Sequence, residues 1–472
     1  MGLVAETRQA IRDSPRGVFN WYLLMNIAIF ALSGISRGFD EANIASLVVQ
    51  SRFRIKFGLG QQSPDEYANT KGWIVSMFTA GMTLGCLLVA PKTIRGLLAV
   101  QFAACQQLGV VFGFFINYGI TKNYDGTDMQ WMFPTLIQLL PAAVWGLGLL
   151  ICEESPRWLL YVGRRTQAVA ILAKLRHLPP SHPTVVAEIA VMEFQILQER
   201  EAATGTSQWD LFKETFVPVE NRRRFCLVML AHLFSQWSGG NAITQYLPTI
   251  LGYLGTSGDT LSLTTGVYAV VKFTTLLIFS LVVVDFVGRR RSLMAGITLQ
   301  ILTLVYLACY LGISREMSTT TLLHTASATQ ASKAAIAAIF VHGVGWVIGW
   351  FSMPFLIGSE IFPIRIRSLA LSMGMAGHWL FAFGCTRATP DLLEVMEEWG
   401  AFAFFACICL VSLVYVFFAM PDTTGRSLEA LDGLFQRPWY TVYQVAYAKE
   451  EDEEIEVQAI QERGKSELGI EA

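Results

Sequence analysis

Ten apolar runs divide this chain, near residues 22–46, 71–90, 98–118, 132–152, 223–253, 263–285, 292–312, 333–361, 368–388 and 400–420. A helix needs about 20 apolar residues to cross a bilayer. In hydrocarbon every backbone polar group must be satisfied within the protein, which leaves helices as the solution for segments of this length. The sequence therefore predicts an all-α membrane protein with the lipid bilayer as its surroundings. Composition agrees: 15% of the 472 residues are charged and the mean hydropathy is +0.44, against roughly 25% charged in ordinary soluble domains. A net charge of −2 and the lack of a basic stripe argue against nucleic acid as a partner.

Charge sets the orientation. Arg8, Arg12, Arg16, Lys92, Arg95, Arg222 to Arg224, Arg289 to Arg291, Arg365 and Arg367 share one side of the ten runs, while Asp125, Asp128, Asp259, Asp391, Glu394, Glu397 and Glu398 share the other. The basic side faces the cytosol, and an even number of crossings puts both termini there. The organisation expected is a cytosolic start (1–21), four spans (22–152), a cytosolic linker (153–222), six spans (223–420) and a cytosolic tail (421–472). In the linker, Gly163 to His177 has the period of a short amphipathic helix, stopped by Pro179 and Pro180. A second helix starts near Pro183, where proline suits a first turn. The pair reads either as a solvated linker or as surface helices that latch two membrane halves together. Cysteines such as Cys86, Cys105, Cys309, Cys407 and Cys409 sit in or beside apolar runs with no metal-ligand or disulfide spacing. The six histidines are scattered and no catalytic arrangement is in register, so neither an enzyme nor a bound metal or cofactor is expected.

One run is unlike the others. FSQWSGGNAITQYLPTIL, Phe234 to Leu251, carries Ser235, Gln236, Ser238, Asn241, Thr244, Gln245 and Tyr246 at membrane depth. Polar groups there are costly, so they point to function. Gly239, Gly240 and Pro248 loosen the helix, which is tolerated where protein or a water-filled cavity surrounds it. The stretch is read as lining a path for a polar, hydroxyl-rich solute.

Five motifs now carry a resemblance: EESPRW (Glu153 to Trp158), the QWSGGN stretch, DFVGRRR (Asp285 to Arg291), SEIFPIRIR (Ser359 to Arg367) and PDTTGRSLE (Pro421 to Glu429). Their order and placement at membrane boundaries resemble the sugar porter family of the major facilitator superfamily, most of all its fungal monosaccharide and quinate permease branch. The resemblance implies two helical bundles that rock about a midplane site, proton-coupled uptake of a monosaccharide or polyol, a plasma-membrane location and a monomer. It assigns solute contacts to Gln107, Gln236, Asn241, Phe355, His378 and Trp379, to which Tyr246 of the polar stretch is added. Asp40, in a GFD motif, matches the family's proton acceptor. Glu154, Arg157, Asp285, Arg289, Arg290, Glu360, Arg365 and Arg367 match a charge network that closes the cytosolic gate.

Departures from the family accompany the match. Ser235 replaces a glutamine, and Phe355 stands where a tryptophan is usual. Lys272, inside VYAVVKFTTLLIF, either snorkels to an interface or favours an acidic solute such as quinate or a sugar acid. The family has twelve spans. Here GMTLGCLLVAP runs straight into KTIRGLL, as though spans three and four, and the arginine that would face Asp40, were absent. That loss is expected to open the first bundle sideways and expose Gln107. The chain as written would then transport poorly unless paired with another chain, as would a product of an altered transcript. A quinate or sugar-acid permease, a transport-deficient fragment and a non-transporting nutrient sensor stand as alternatives.

Overall fold

A computed structural model describes residues 20–88, 96–203, 208–280, 287–316, 326–423, 434–435 and 438–447. The described residues form helices joined by short turns. In chain order these are α1 (Trp21–Leu47), α2 (Pro64–Leu88), α3 (Gly96–Asn123), α4 (Met129–Ile137), α5 (Leu139–Leu149), α6 (Pro156–Tyr161), α7 (Arg165–Arg176), α8 (Pro183–Ala203) and α9 (Gln208–Phe216). They continue as α10 (Val219–Trp237), α11 (Gly240–Gln245), α12 (Leu247–Tyr253), α13 (Gly258–Ile278), α14 (Arg289–Glu316), α15 (Ala326–Trp346), α16 (Met353–Ile361), α17 (Ile364–Val395) and α18 (Trp399–Ala419).

Eight helical stretches among the described residues are long and apolar enough to cross a membrane, where the sequence suggested ten. The two others take a different form. The run expected at 71–90 is part of α2, whose first turns carry Asp65, Glu66 and Lys71. The run expected at 223–253 is no single helix: it starts with Arg222 to Arg224 inside α10 and breaks at Gly239. The join from Pro91 to Arg95, where the missing spans would fall, lies outside the described residues.

Small residues set the closest approach. A Cβ on Gly38 of α1 would stand 1.8 Å from the Gln106 carbonyl oxygen of α3, and one on Gly109 would stand 2.3 Å from that of Ile35. Only glycine lets these backbones touch. At the end away from the linker, α2 meets α17. Arg387 of α17 pairs with Asp391 at 2.8 Å, donates to Asn69 and lies over Trp73.

The linker builds its own small core from Leu159, Leu160, Ala168, Leu172, Val185, Ile189 and Ile196. The positions in α8 follow a helical period, which leaves Phe194 and Leu197 exposed on its other side. Both membrane parts touch this unit. Asn20, which caps α1, donates to the Leu175 carbonyl at 2.8 Å, and Arg365 of α17 pairs with Glu214 at 2.9 Å. Lys174 and Tyr22 donate to Glu153, holding its carboxyl below the usual range.

Candidate functional site

The break in the polar stretch is held from three sides. Gly239 adopts a left-handed backbone, φ 86°, ending the helix before α11. The carbonyls left without helical partners must find other donors. Ser235 oxygen accepts from Ser238 Oγ at 3.0 Å and from the Trp346 indole of α15 at 3.4 Å. Gln236 oxygen accepts from Cys385 of α17 at 3.2 Å, and Ser238 oxygen from Cys409 of α18 at 3.7 Å. Trp346 also packs on Gly240, where a Cβ would stand 2.0 Å from its ring.

Two prolines complete the frame. Pro354 has no N–H for the Trp350 carbonyl four residues earlier, and Ser235 Oγ donates to that oxygen at 3.1 Å. A π-helical segment, Val347–Phe351, spans the same place. Pro390 likewise frees the Thr386 carbonyl of α17, and the Tyr246 hydroxyl donates to it at 3.0 Å. Tyr246 is 1% exposed. Its hydroxyl is thus engaged with α17, and the residue braces the frame.

Inside this frame five of the expected solute contacts converge. Gln236 Nε2 lies 3.3 Å from His378 Nε2, and Asn241 Nδ2 donates to Gln236 Oε1 at 3.3 Å. The His378 ring stands 4.8 Å from Trp379 and 4.9 Å from Phe355 between centroids. Arg37 of α1 lies over the Trp379 face at 4.2 Å. One partner was not foreseen: His232 Nδ1 is 3.1 Å from His378 Nδ1, with its ring beside Phe355. Gln236 and His378 are buried, while Asn241 and Phe355 are partly exposed. Amides, imidazoles and aromatic faces in one place suit a solute with many hydroxyls.

The other assigned residues lie elsewhere. Gln107, expected to be exposed sideways, is 2% exposed. It sits on α3, which packs between α1 and α13, and those neighbours cover it. Among the described residues its Oε1 meets no hydrogen-bond donor, and neither does Oε1 of the buried Gln245. Gln245 is a second orphan acceptor that was noted only as part of the polar stretch. On α1, Asp40 is hydrogen-bonded to Gln138 while its Oδ1 has no partner among the described residues, and Asn43 Nδ2 also donates to Gln138 at 2.8 Å.

Lys272 does not snorkel. It is 1% exposed, and its Nζ turns inward to donate to Thr244 Oγ1 at 3.0 Å. Trp346 offers its ring face at 4.5 Å and Tyr268 at 5.6 Å.

Of the expected gate, Arg289 pairs with Glu360 at 3.2 Å among the described residues. Glu360 also accepts from Thr423. Arg365 turns to Glu214 and Arg157 to Gln195, both in the linker. Arg290 donates to the Phe417 carbonyl and Arg367 to that of Phe362. These groups sit close to backbone carbonyls that need donors, a demand invisible in the spacing of charges. Glu154 is exposed, and Asp285 lies outside the described residues.

Comparison with known proteins agrees with this picture. The profile of the family described as "Sugar (and other) transporter" matches residues 89–435. A probable quinate permease of Neosartorya fischeri is 28% identical over 525 residues, covering 97% of this chain and 96% of the relative. A quinate permease of Neurospora africana is 30% identical over 490 residues, 90% of each. Both spans exceed the 472 residues of this chain, so each relative carries residues with no counterpart here. Among solved structures, the proton:xylose symporter XylE bound to 6-bromo-6-deoxy-D-glucose superposes with a TM-score of 0.64 at 19% identity, covering 88% of this chain and 99% of that one. A partially occluded inward-open form of XylE from E. coli gives 0.62 at 17% identity. The fold is that of the major facilitator superfamily, and the chain belongs to its sugar porter family, a multi-pass membrane transporter and not an enzyme.

Proposed function

We propose that this chain moves a small polyhydroxylated solute, a monosaccharide or related polyol, by alternating exposure of the site around Gln236, Asn241, Phe355, His378 and Trp379. The observation that carries the reading is the convergence of these five side chains behind a helix broken at Gly239, with Arg37 reaching in from α1. In the described state the polar groups satisfy one another. A solute would replace those mutual bonds with its own hydroxyls, and α1 would part from α17 as the bundles rock. Gln107 and Gln245 supply two further acceptors with no present donor. Asp40 is the proposed proton acceptor, and the Arg289–Glu360 pair part of the proposed gate on a cytosolic face that also carries both termini. A plasma-membrane monomer is the proposed setting.

A second reading is transport of a hydroxylated acid such as quinate. The quinate permeases among its relatives favour it, as does the buried cation Lys272. Uptake of labelled glucose and of labelled quinate into cells making the full chain tests both. Uptake above that of empty cells supports transport, and uptake indifferent to a protonophore removes the proton coupling. No uptake of either, restored once the segment present in the relatives is added, identifies the chain as a transport-deficient form. A nutrient sensor would bind without uptake in either form.

A further inference from the structure

Lys272 has a combination of features that ordinary packing does not explain. It is fully enclosed in the middle of a membrane-spanning helix, 1% exposed. Its ammonium has three donors, and one is used, on Thr244. Among the described residues no carboxylate lies within ion-pair distance of it. Glu41 of α1 is the carboxylate whose field reaches it, and that group is occupied with Gln106 at 3.5 Å. The remaining neighbours are aromatic faces, Trp346 and Tyr268, and the His342 imidazole. Enclosing a cation without a contact counter-ion is costly, because water is lost and nothing of opposite charge replaces it.

Its position ties it to the solute path. Thr244 lies on the six-residue helix α11 together with Asn241, three residues apart and therefore on neighbouring faces. Trp346 bridges the same two places, with its indole N–H on Ser235 and its ring over the ammonium. Further along the seam between α1, α3 and α13 is a cavity of about 320 Å³, walled by Ser46, Gln50, Asn117, Ser262 and Thr265. Thr265 precedes Lys272 by two helical turns on one face of α13. The cavity has the size of a small-ligand pocket. Asp125, the one charged residue on its wall, is held by Gln130 at 2.9 Å.

We propose that Lys272 recognises the carboxylate of the solute, so that the path selects polyhydroxylated acids over their neutral counterparts. The proposal rests on the transport reading above and deepens it to a substrate class. A carboxylate takes the two unused N–H donors and supplies the contact counter-ion that the ammonium lacks. The hydroxyls of the same solute then fall to the amide and aromatic cluster beyond Asn241.

The test uses glucose and glucuronate, which differ in a carboxylate at C6, as competing ligands for the purified full chain. Binding of each is read by scintillation proximity. The unaltered chain is expected to prefer glucuronate by tenfold or more. Lys272→Gln is expected to abolish that preference, and Lys272→Arg to keep it. Equal affinity of the unaltered chain for the two overturns the role of Lys272 but leaves sugar transport standing. Binding of neither overturns both. Should Lys272→Gln fail to fold, Lys272→Arg decides alone: a folded arginine variant that binds glucose yet has lost the preference for glucuronate overturns the proposal.

Discussion

The crossings Met129–Leu149 and Trp399–Ala419 are of equal length, 21 residues, and keep unequal company. Of the first, 11% is buried inside the protein; of the second, 39%. The α18 helix lies along α14 and buries Phe402, Phe405, Cys409, Ser412 and Val416. The α4–α5 crossing leans on α1 and the end of α3; α5 buries no residue and α4 buries only Gln130 and Pro134. Both crossings are apolar enough for lipid, and the less apolar of the two is the one left more exposed, so an aversion to water does not explain which of them the protein buries. What separates them is the number of protein neighbours within reach. Among the described residues the helices from α10 onward supply each other with partners, while α4 and α5 leave Leu136, Leu139, Leu140, Val144 and Leu147 exposed.

The strongest way to break this comparison is to add neighbours. Inserting the relatives' additional segment between Pro91 and Lys92 is expected to bury α4–α5 and raise solute uptake from background to a clear signal. Unchanged uptake and unchanged lipid accessibility of cysteines placed at Leu140 and Leu147 would end the idea that a neighbour is missing. A smaller effect should distinguish glycines in the two regions. Gly240→Ala forces a Cβ into Trp346, and overpacking of this kind costs about 1–3 kcal/mol. Gly146→Ala in α5 meets nothing within 4 Å and should be neutral or slightly stabilising. Thermal melting in detergent compares the pair, and equal losses would contradict the difference in packing. Within the well-packed region, Gln236→Ala and Asn241→Ala are each expected to weaken solute binding by about 1–3 kcal/mol; titration calorimetry showing unaltered affinity would take them out of the site. The smallest effect is expected at Tyr246→Phe, about 1 kcal/mol of stability from the stranded Thr386 carbonyl. A change in solute affinity larger than the change in melting would instead return Tyr246 to the solute.

The helices were legible because a run such as Trp399–Ala419 permits few other fates at that hydropathy. The break was legible too, since Gly239 and Gly240 interrupt a polar stretch that lipid would reject. Partners were harder to read. His232 meets His378 across 146 residues of sequence, and only the angle between α10 and α17 brings them together. Gln107 was misplaced for the same reason: whether a face is open depends on where α1 and α13 lie, which periodicity within α3 does not encode. The gate arginines were found as charges, but that Arg290 and Arg367 also reach the Phe417 and Phe362 carbonyls follows from helix ends that charge spacing does not reveal.

Ser235 and Tyr246 straddle the glycine break and grip different helices. The first holds the oxygen stranded by Pro354 and the second the one stranded by Pro390. Any sliding of the α15–α16 unit against α17 therefore pulls the two grips apart. The chain between them has one soft joint, at Gly239, so the strain of that sliding is delivered as torsion beside Gln236 and Asn241.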